Sequence, residues 1–379
     1  MGKFGKKVEI NLNPLAYNIG LLGESGIGKS TIIKEVCQKL VGDDGYISLD
    51  IGKEDGHKAI SGIVSERVED WAKFSEIVDD IVENKFTDYP DLKVVVIDTY
   101  DQLCEIAEKE VIRVWNKKCR EQQKPTVDTI NSAFGGFGKG LDKTIDLMLD
   151  KLWQLKSVGV SFIIVAHIKR TDITDVMSEE QYTMLTASTT QRYFNAIKQK
   201  LDFLGMAYID RDMVKIKTNK KDNNGNYIEK NKISGESRVI NFRDNTYSLD
   251  SKCRFANIVD QIPFTSDALI KAMEDAILAE QAKDGKSLDE AKKEQAEQAK
   301  VDEAKAKETS ALIKKQRQNN EEEATRGEVL ASIKENFIKS TDESKQAMKK
   351  KLTDSGFKSL NDPDVPIDLL KELCNMLTC

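Results

Sequence analysis

A chain of 379 residues with 39% apolar and 32% charged content has room for one large domain and a smaller one, each with a real core. A formal net charge of -6 excludes a uniformly basic coat for nucleic acid but leaves a local basic groove open. No apolar run approaches the roughly 20 residues of a membrane-spanning helix, and six scattered cysteines without a CxxC pair predict reduced thiols in a cytosol rather than a zinc site.

Residues 17–22, YNIGLL, read as a strand, and the turn GESGIGKS leads into the helical pattern of residues 31–40. GYISLD at 45–50 is a second strand. Residues 71–84 carry apolar side chains at helical spacing, and LKVVVIDT at 92–99 is a continuous apolar run bounded by polar residues. An amphipathic helix over 144–159 precedes the apolar run VSFIIVAH at 160–167, and FLGMAYID at 203–210 is a later strand. Continuous rather than alternating apolar strands predict a sheet buried on both faces, hence an α/β fold with a mostly parallel central sheet and helices on each side.

From about residue 211 the texture changes. Residues 213–232 read as a β-hairpin extension around NNGN, followed by the short strand-like pieces RVINF and TYSL. Beyond Asp267 strand signals vanish. Residues 278–320 hold nine Asp/Glu and ten Lys/Arg with no sustained apolar stripe, which predicts a solvated helix held by opposite charges three or four apart. An apolar helical pattern returns near residue 326. The expected organisation is a core of residues 1–277, a charged helical linker of 278–325 and a small helical C-terminal module of 326–379.

GESGIGKS fits G-x-x-x-x-G-K-[ST], with Gly23, Gly28, Lys29 and Ser30 in the fixed places. Glycines let successive amides curl around phosphate oxygens, and the following helix points its positive end at the same anion. The cradle is Gly23, Glu24, Ser25, Gly26, Ile27, Gly28, Lys29, Ser30 and Thr31. Lys29 supplies a cation for the β- and γ-phosphates, and the Ser30 hydroxyl can ligate Mg²⁺. Asp98 closes the run VVVID at the carboxyl end of a buried strand, where such sheets gather ligands, and reads as the second metal residue or as a helix cap. His167 ends SFIIVA and is read as a contact to the γ-phosphate or the attacking water, or as a structural histidine; the hydroxyl-rich stretch after it reads as a long loop.

GESGIGKST, VVVIDTYDQL, FGGFGKG, FIIVAHIKR and SKCRF, in that order, resemble the phage RecA-core NTP-binding proteins, a group that includes single-strand-annealing recombination ATPases. The resemblance covers about residues 15–277. It implies a RecA-like P-loop core, ATP with Mg²⁺, single-stranded DNA as partner, and a homo-oligomer, ring or filament, with its active site between subunits. It also implies the cytoplasm of a phage-infected bacterial cell. RecA-type ATPases carry a glutamate after the second strand, which points to Glu54, with Asp50 and Asp55 as rivals. Basic residues late in that core reach the neighbouring subunit's γ-phosphate, and Lys252 and Arg254 match the position. The tail lies outside the resemblance, and a single-strand-binding protein is the partner considered for it.

Two regions are suited to meet a strand. Residues 117–140 combine Lys117, Lys118, Arg120, Lys124 and Lys139 with Phe134 and Phe137, and the stretch after His167 adds Lys169 and Arg170. Cations for phosphates with rings for base stacking serve non-specific single-strand binding. Lysines of the hairpin, Lys215, Lys217, Lys220, Lys221, Lys230 and Lys232, offer a second basic surface. The leading expectation is an ATP-dependent DNA recombination protein. The alternatives are a replicative helicase or helicase-loader motor, and a nucleotide-gated binding module with negligible turnover.

Overall fold

Strands with no polar face must be covered on both sides, and the arrangement of this chain follows from that need. The computed structural model describes residues 10–53, 56–174, 181–221, 227–243, 251–283, 285 and 287–377. In chain order these form β1 (Ile19–Gly23), α1 (Lys29–Val41), β2 (Tyr46–Ile51), β3 (Ser65–Val68), α2 (Trp71–Asn84) and β4 (Val94–Asp98). Then come α3 (Tyr100–Glu121), α4 (Lys139–Ser157), β5 (Ser161–Thr174), β6 (Gln181–Ala187), α5 (Gln191–Lys198), β7 (Phe203–Lys221) and β8 (Tyr227–Asn241). The last elements are β9 (Lys252–Cys253), β10 (Gln261–Pro263), α6 (Ser266–Ala282), α7 (Leu288–Lys339), α8 (Asp342–Asp354) and α9 (Ile367–Asn375).

The sheet runs β10-β8-β7-β1-β5-β4-β2-β3, and every pair from β7 to β3 is parallel. This is the RecA-like P-loop core, with β7–β8 as its antiparallel extension. Strand periodicity sorts the core. Val94, Val96, Ile163 and Val165 share one buried cluster with Ile33, Val36 and Cys37 of α1 and with Leu269, Met273 and Ile277 of α6. Phe162, one residue before Ile163, turns to the opposite face, where its ring lies 5.7 Å from that of Trp153 on α4. Burial pushes the Cys37 thiol up to about 12, as expected of a core residue and not a nucleophile.

Three local readings change. The segment behind His167 is not an open loop: β5 continues to Thr174 and pairs antiparallel with β6 from Ile168↔Ala187 to Thr174↔Gln181. FLGMAYID and the first arm of the hairpin are one strand, β7, whose partner β8 takes in the hairpin's second arm and RVIN. Phe242 lies just past its end. The turn at NNGN and the piece TYSL lie outside the described residues, as do the hairpin lysine side chains. The polar SERV of β3 was not anticipated; it adds to the β2 edge with Ser48↔Ser65 and Ile51↔Val68.

The chain divides into two units, residues 1–307 and 308–379, and the division falls within α7. The second unit has its own core of Ile333, Met348, Leu352, Val365, Leu370, Leu373 and Leu377. No described helix is long and apolar enough to cross a membrane.

Because α6 closes the face that holds α1, Met273→Ala should lower the unfolding free energy of the first unit by about 2–5 kcal/mol. A lower urea midpoint at an unchanged slope is the expected signature. An unchanged midpoint would remove α6 from the core.

Candidate nucleotide-binding site

β1 delivers the chain to the carboxyl edge of the sheet, and the glycine loop turns it back into α1. Gly23 sits so close to β7 that a Cβ would lie 2.8 Å from the Ala207 carbonyl oxygen. Gly28 is the residue before the first turn of α1 and has φ 107°, a left-handed value that side chains disfavour. No side chain caps that helix and no acid stands in its first turn. The amides at its start therefore face the loop, and the helix dipole favours an anion there. Lys29 is 6% exposed, and its Nζ donates to the carbonyl oxygens of Gly23 and Glu24 at 3.0 Å each. Ser25, Gly26 and Thr31 are exposed, whereas Ile27 is buried and anchors the loop.

Asp98 faces this cradle. The Ser30 hydroxyl donates to Asp98 Oδ2 at 2.5 Å, joining the start of α1 to the end of β4. Parallel register sets the strand ends nearly level, with Gly23 opposite His167 and Asp98 opposite Val165. His167 is held by Asp101 in the first turn of α3. The Asp101 carboxylate accepts from the His167 backbone N–H at 3.0 Å and pairs with Nδ1 at 2.8 Å, and its other oxygen accepts from the Ser188 hydroxyl at 2.9 Å. A neutral ring bonded in this way presents Nε2 as its acceptor.

The other residues named from sequence fall elsewhere. Glu54 and its rival Asp55 lie outside the described residues. Asp50 is buried and paired with Arg67 at 2.9 Å. Lys252 and Arg254 stand at the amino end of β7, where Lys252 pairs opposite Leu204, roughly 10 Å of strand from the residue level with Gly23. Lys252 Nζ donates to the carbonyls of Lys198 and Gln199 at 2.9 and 3.0 Å, and Arg254 donates to Gln199 at 2.8 Å. Both thus hold the carboxyl end of α5 in their own chain. Burial, with Arg254 beside it, lowers the Lys252 pKa.

Lys117, Lys118 and Arg120 are exposed on the last turns of α3, and Lys139 is exposed at the start of α4. Phe134 is half-buried with its ring 4.6 Å from that of Trp115, while Phe137 is 97% exposed. Residues 134–138 all have positive φ, so two aromatic residues share a strained left-handed run with three glycines. Lys169 and Arg170 are exposed on β5, two and three residues beyond His167.

Three residues at the site were not foreseen. His57 is 6% exposed and its Nε2 lies 2.9 Å from Asp98 Oδ2. Asp101 appeared in the sequence only as part of VVVIDTYDQL, with nothing to mark it as the partner of His167. Arg238 of β8 donates to the Ile27 carbonyl of the loop at 3.1 Å. Among the described residues, three buried side-chain polar atoms lack a hydrogen-bond partner, and two of them, His57 Nδ1 and Thr99 Oγ1, adjoin Asp98. With the uncapped helix start and the Ser30–Asp98 pair, this donor and acceptor set fits a phosphate chain with a divalent cation.

A strand, glycine loop and helix facing an acid at the end of a second buried parallel strand define a P-loop NTPase. The family described as AAA domain matches residues 15–255, and the chain belongs to it. Among solved structures it is similar to a prototypical ATPase from the type III secretion system of pathogenic bacteria, at 14% identity and a TM-score of 0.30, covering 52% of this chain. The chain spans 51% of that protein's length. None of the curated proteins matches.

Replacing Lys29 by Ala should abolish binding of a fluorescent ATP analogue while leaving the fold intact by circular dichroism. Unchanged affinity in that variant would refute the site.

Proposed function

We propose that this P-loop ATPase domain uses ATP with Mg²⁺ to control binding to single-stranded DNA, as a recombination protein that anneals or exchanges strands and works as an oligomer. The observation that carries this reading is the continuity of β5. One strand runs from the core through His167 to the exposed Lys169 and Arg170, roughly 7 Å further on. A change at the γ-phosphate end of the site is therefore felt at Lys169 and Arg170, at the base of the β5–β6 hairpin. Exposed Phe137 beside Lys139 adds a ring for base stacking near a cation for phosphate.

In this reading Lys29 and the amides of α1 stabilise the charge that builds on the phosphoryl oxygens. Ser30 and Asp98 would hold Mg²⁺, which supplies further charge neutralisation there. His167 Nε2, fixed through Asp101, orients the attacking water. Asp50 is already committed to Arg67, so Glu54, with Asp55 as its remaining rival, is the carboxylate proposed to activate that water. Lys252 and Arg254 lie too far from their own cradle to serve it, which is compatible with a role at the cradle of a neighbouring subunit.

The direct test is the ATPase rate with and without single-stranded oligonucleotide, together with mass determination in both conditions. Stimulation by DNA accompanied by assembly is expected. Phe137→Ala should reduce DNA binding by roughly 1–3 kcal/mol, the range for one stacked base, without changing nucleotide affinity. Rates and mass that ignore DNA would favour a nucleotide-gated binding module instead.

A further inference from the structure

We propose that His57 is a positioning residue for the metal-binding carboxylate, holding Asp98 through Nε2. The inference rests on the nucleotide reading above and assigns a role to a residue outside the phosphate-loop and strand-end motifs.

The placement is specific. His57 lies in a single 3₁₀ turn, Gly56–Ala59, within the segment that joins β2 to β3. From there its ring reaches the end of β4. Its side chain is 5% exposed and that of Asp98 is 7% exposed, so the contact is shielded from bulk water. Facing a carboxylate, Nε2 must carry the hydrogen. Asp98 Oδ2 then accepts from two donors, the Ser30 hydroxyl on α1 and the His57 ring from the segment between β2 and β3.

A carboxylate held by one donor can rotate about its terminal torsion, which is broad and roughly two-fold. Two donors from different elements fix which oxygen faces the helix start, and so fix the direction of Oδ1. An Arg or Lys at the same place would orient Asp98 and neutralise it together.

The second, independent observation is Nδ1. It is buried with no hydrogen-bond partner, and Thr99 Oγ1 on the neighbouring residue is in the same condition. Buried polar atoms are nearly always paired, because an unpaired one forfeits its hydration. With Nδ1 unbonded, the hydrogen bond the ring does make is the one to Asp98, so its polarity serves the carboxylate alone. Such outer partners orient the ligands of a cation, and their loss typically weakens metal affinity or activity 10–100-fold.

The experiment uses the full chain and follows binding of a fluorescent ATP analogue while Mg²⁺ is titrated, with thermal unfolding recorded for each variant. In His57→Ala the Mg²⁺ concentration for half-saturation should rise about tenfold, and affinity in excess EDTA should match the parent. His57→Gln keeps a donor near the position of Nε2 on a more flexible side chain, so it should fall between Ala and the parent. The proposal is overturned if His57→Ala follows the parental Mg²⁺ curve, or if His57→Gln is folded yet no better than His57→Ala. A drop in melting temperature alone, with Mg²⁺ dependence unchanged, would also overturn it and leave His57 a packing residue. A parent protein that binds no nucleotide at any Mg²⁺ concentration would sink the nucleotide reading itself, and this proposal with it.

Discussion

The hydrogen bond from Ser30 to Asp98 is the contact on which the site depends. It ties the first turn of α1 to the end of β4, although their strands are not neighbours: β5 runs between β1 and β4. Only parallel pairing in one register can bring the three strand ends level, because each parallel step keeps the chain direction while a one-residue slip turns every side chain to the opposite face. Both faces of β4 and β5 are buried, and packing against α1 and α6 on one side and α4 on the other holds the strands in place. Packing thus positions the polar atoms, which themselves contribute little to the stability of the fold.

The same constraint accounts for where polar groups are left incompletely satisfied. Lys29, Asp98, Thr99 and His57 are all buried at the carboxyl edge, where desolvation of such groups is costly. Lys29 is stabilised by backbone carbonyls, and Asp98 by the Ser30 hydroxyl and the His57 ring. The unpartnered His57 Nδ1 and Thr99 Oγ1 belong to the residues that flank it. Strain is concentrated elsewhere, in the five left-handed residues at 134–138 that present Phe137 to solvent.

The phosphate loop and Asp98 were legible in the sequence because both answer to fixed local spacing: a strand of known length, a loop of set composition, an acid at an apolar run's end. His57 was not legible. Its approach to Asp98 depends on the path of the segment between β2 and β3, and β3 itself is a polar four-residue strand that takes its place only by adding to an edge. The strand behind His167 reads as a loop because its hydroxyls and charges resemble loop chemistry. The polar–apolar alternation of QYTM, which the strand turns into alternately exposed and half-buried positions, is the only hint of it in that stretch. Lys252 and Arg254 show the converse. A matching position in a family pattern identified the residues, while the structure gives each an immediate partner at the end of α5.

The central claim is that the glycine loop, the end of β4 and the turn carrying His57 form one nucleotide site. Amide hydrogen exchange of the full chain tests it most directly, comparing the protein alone, with ATP in excess EDTA, and with ATP and Mg²⁺. The account predicts protection of residues 24–31 whenever ATP is present, and protection of residues 56–59 and 98–102 only when Mg²⁺ accompanies it. Exchange at residues 24–31 that ignores saturating ATP, or Mg²⁺-independent behaviour at the other two segments, would contradict the account.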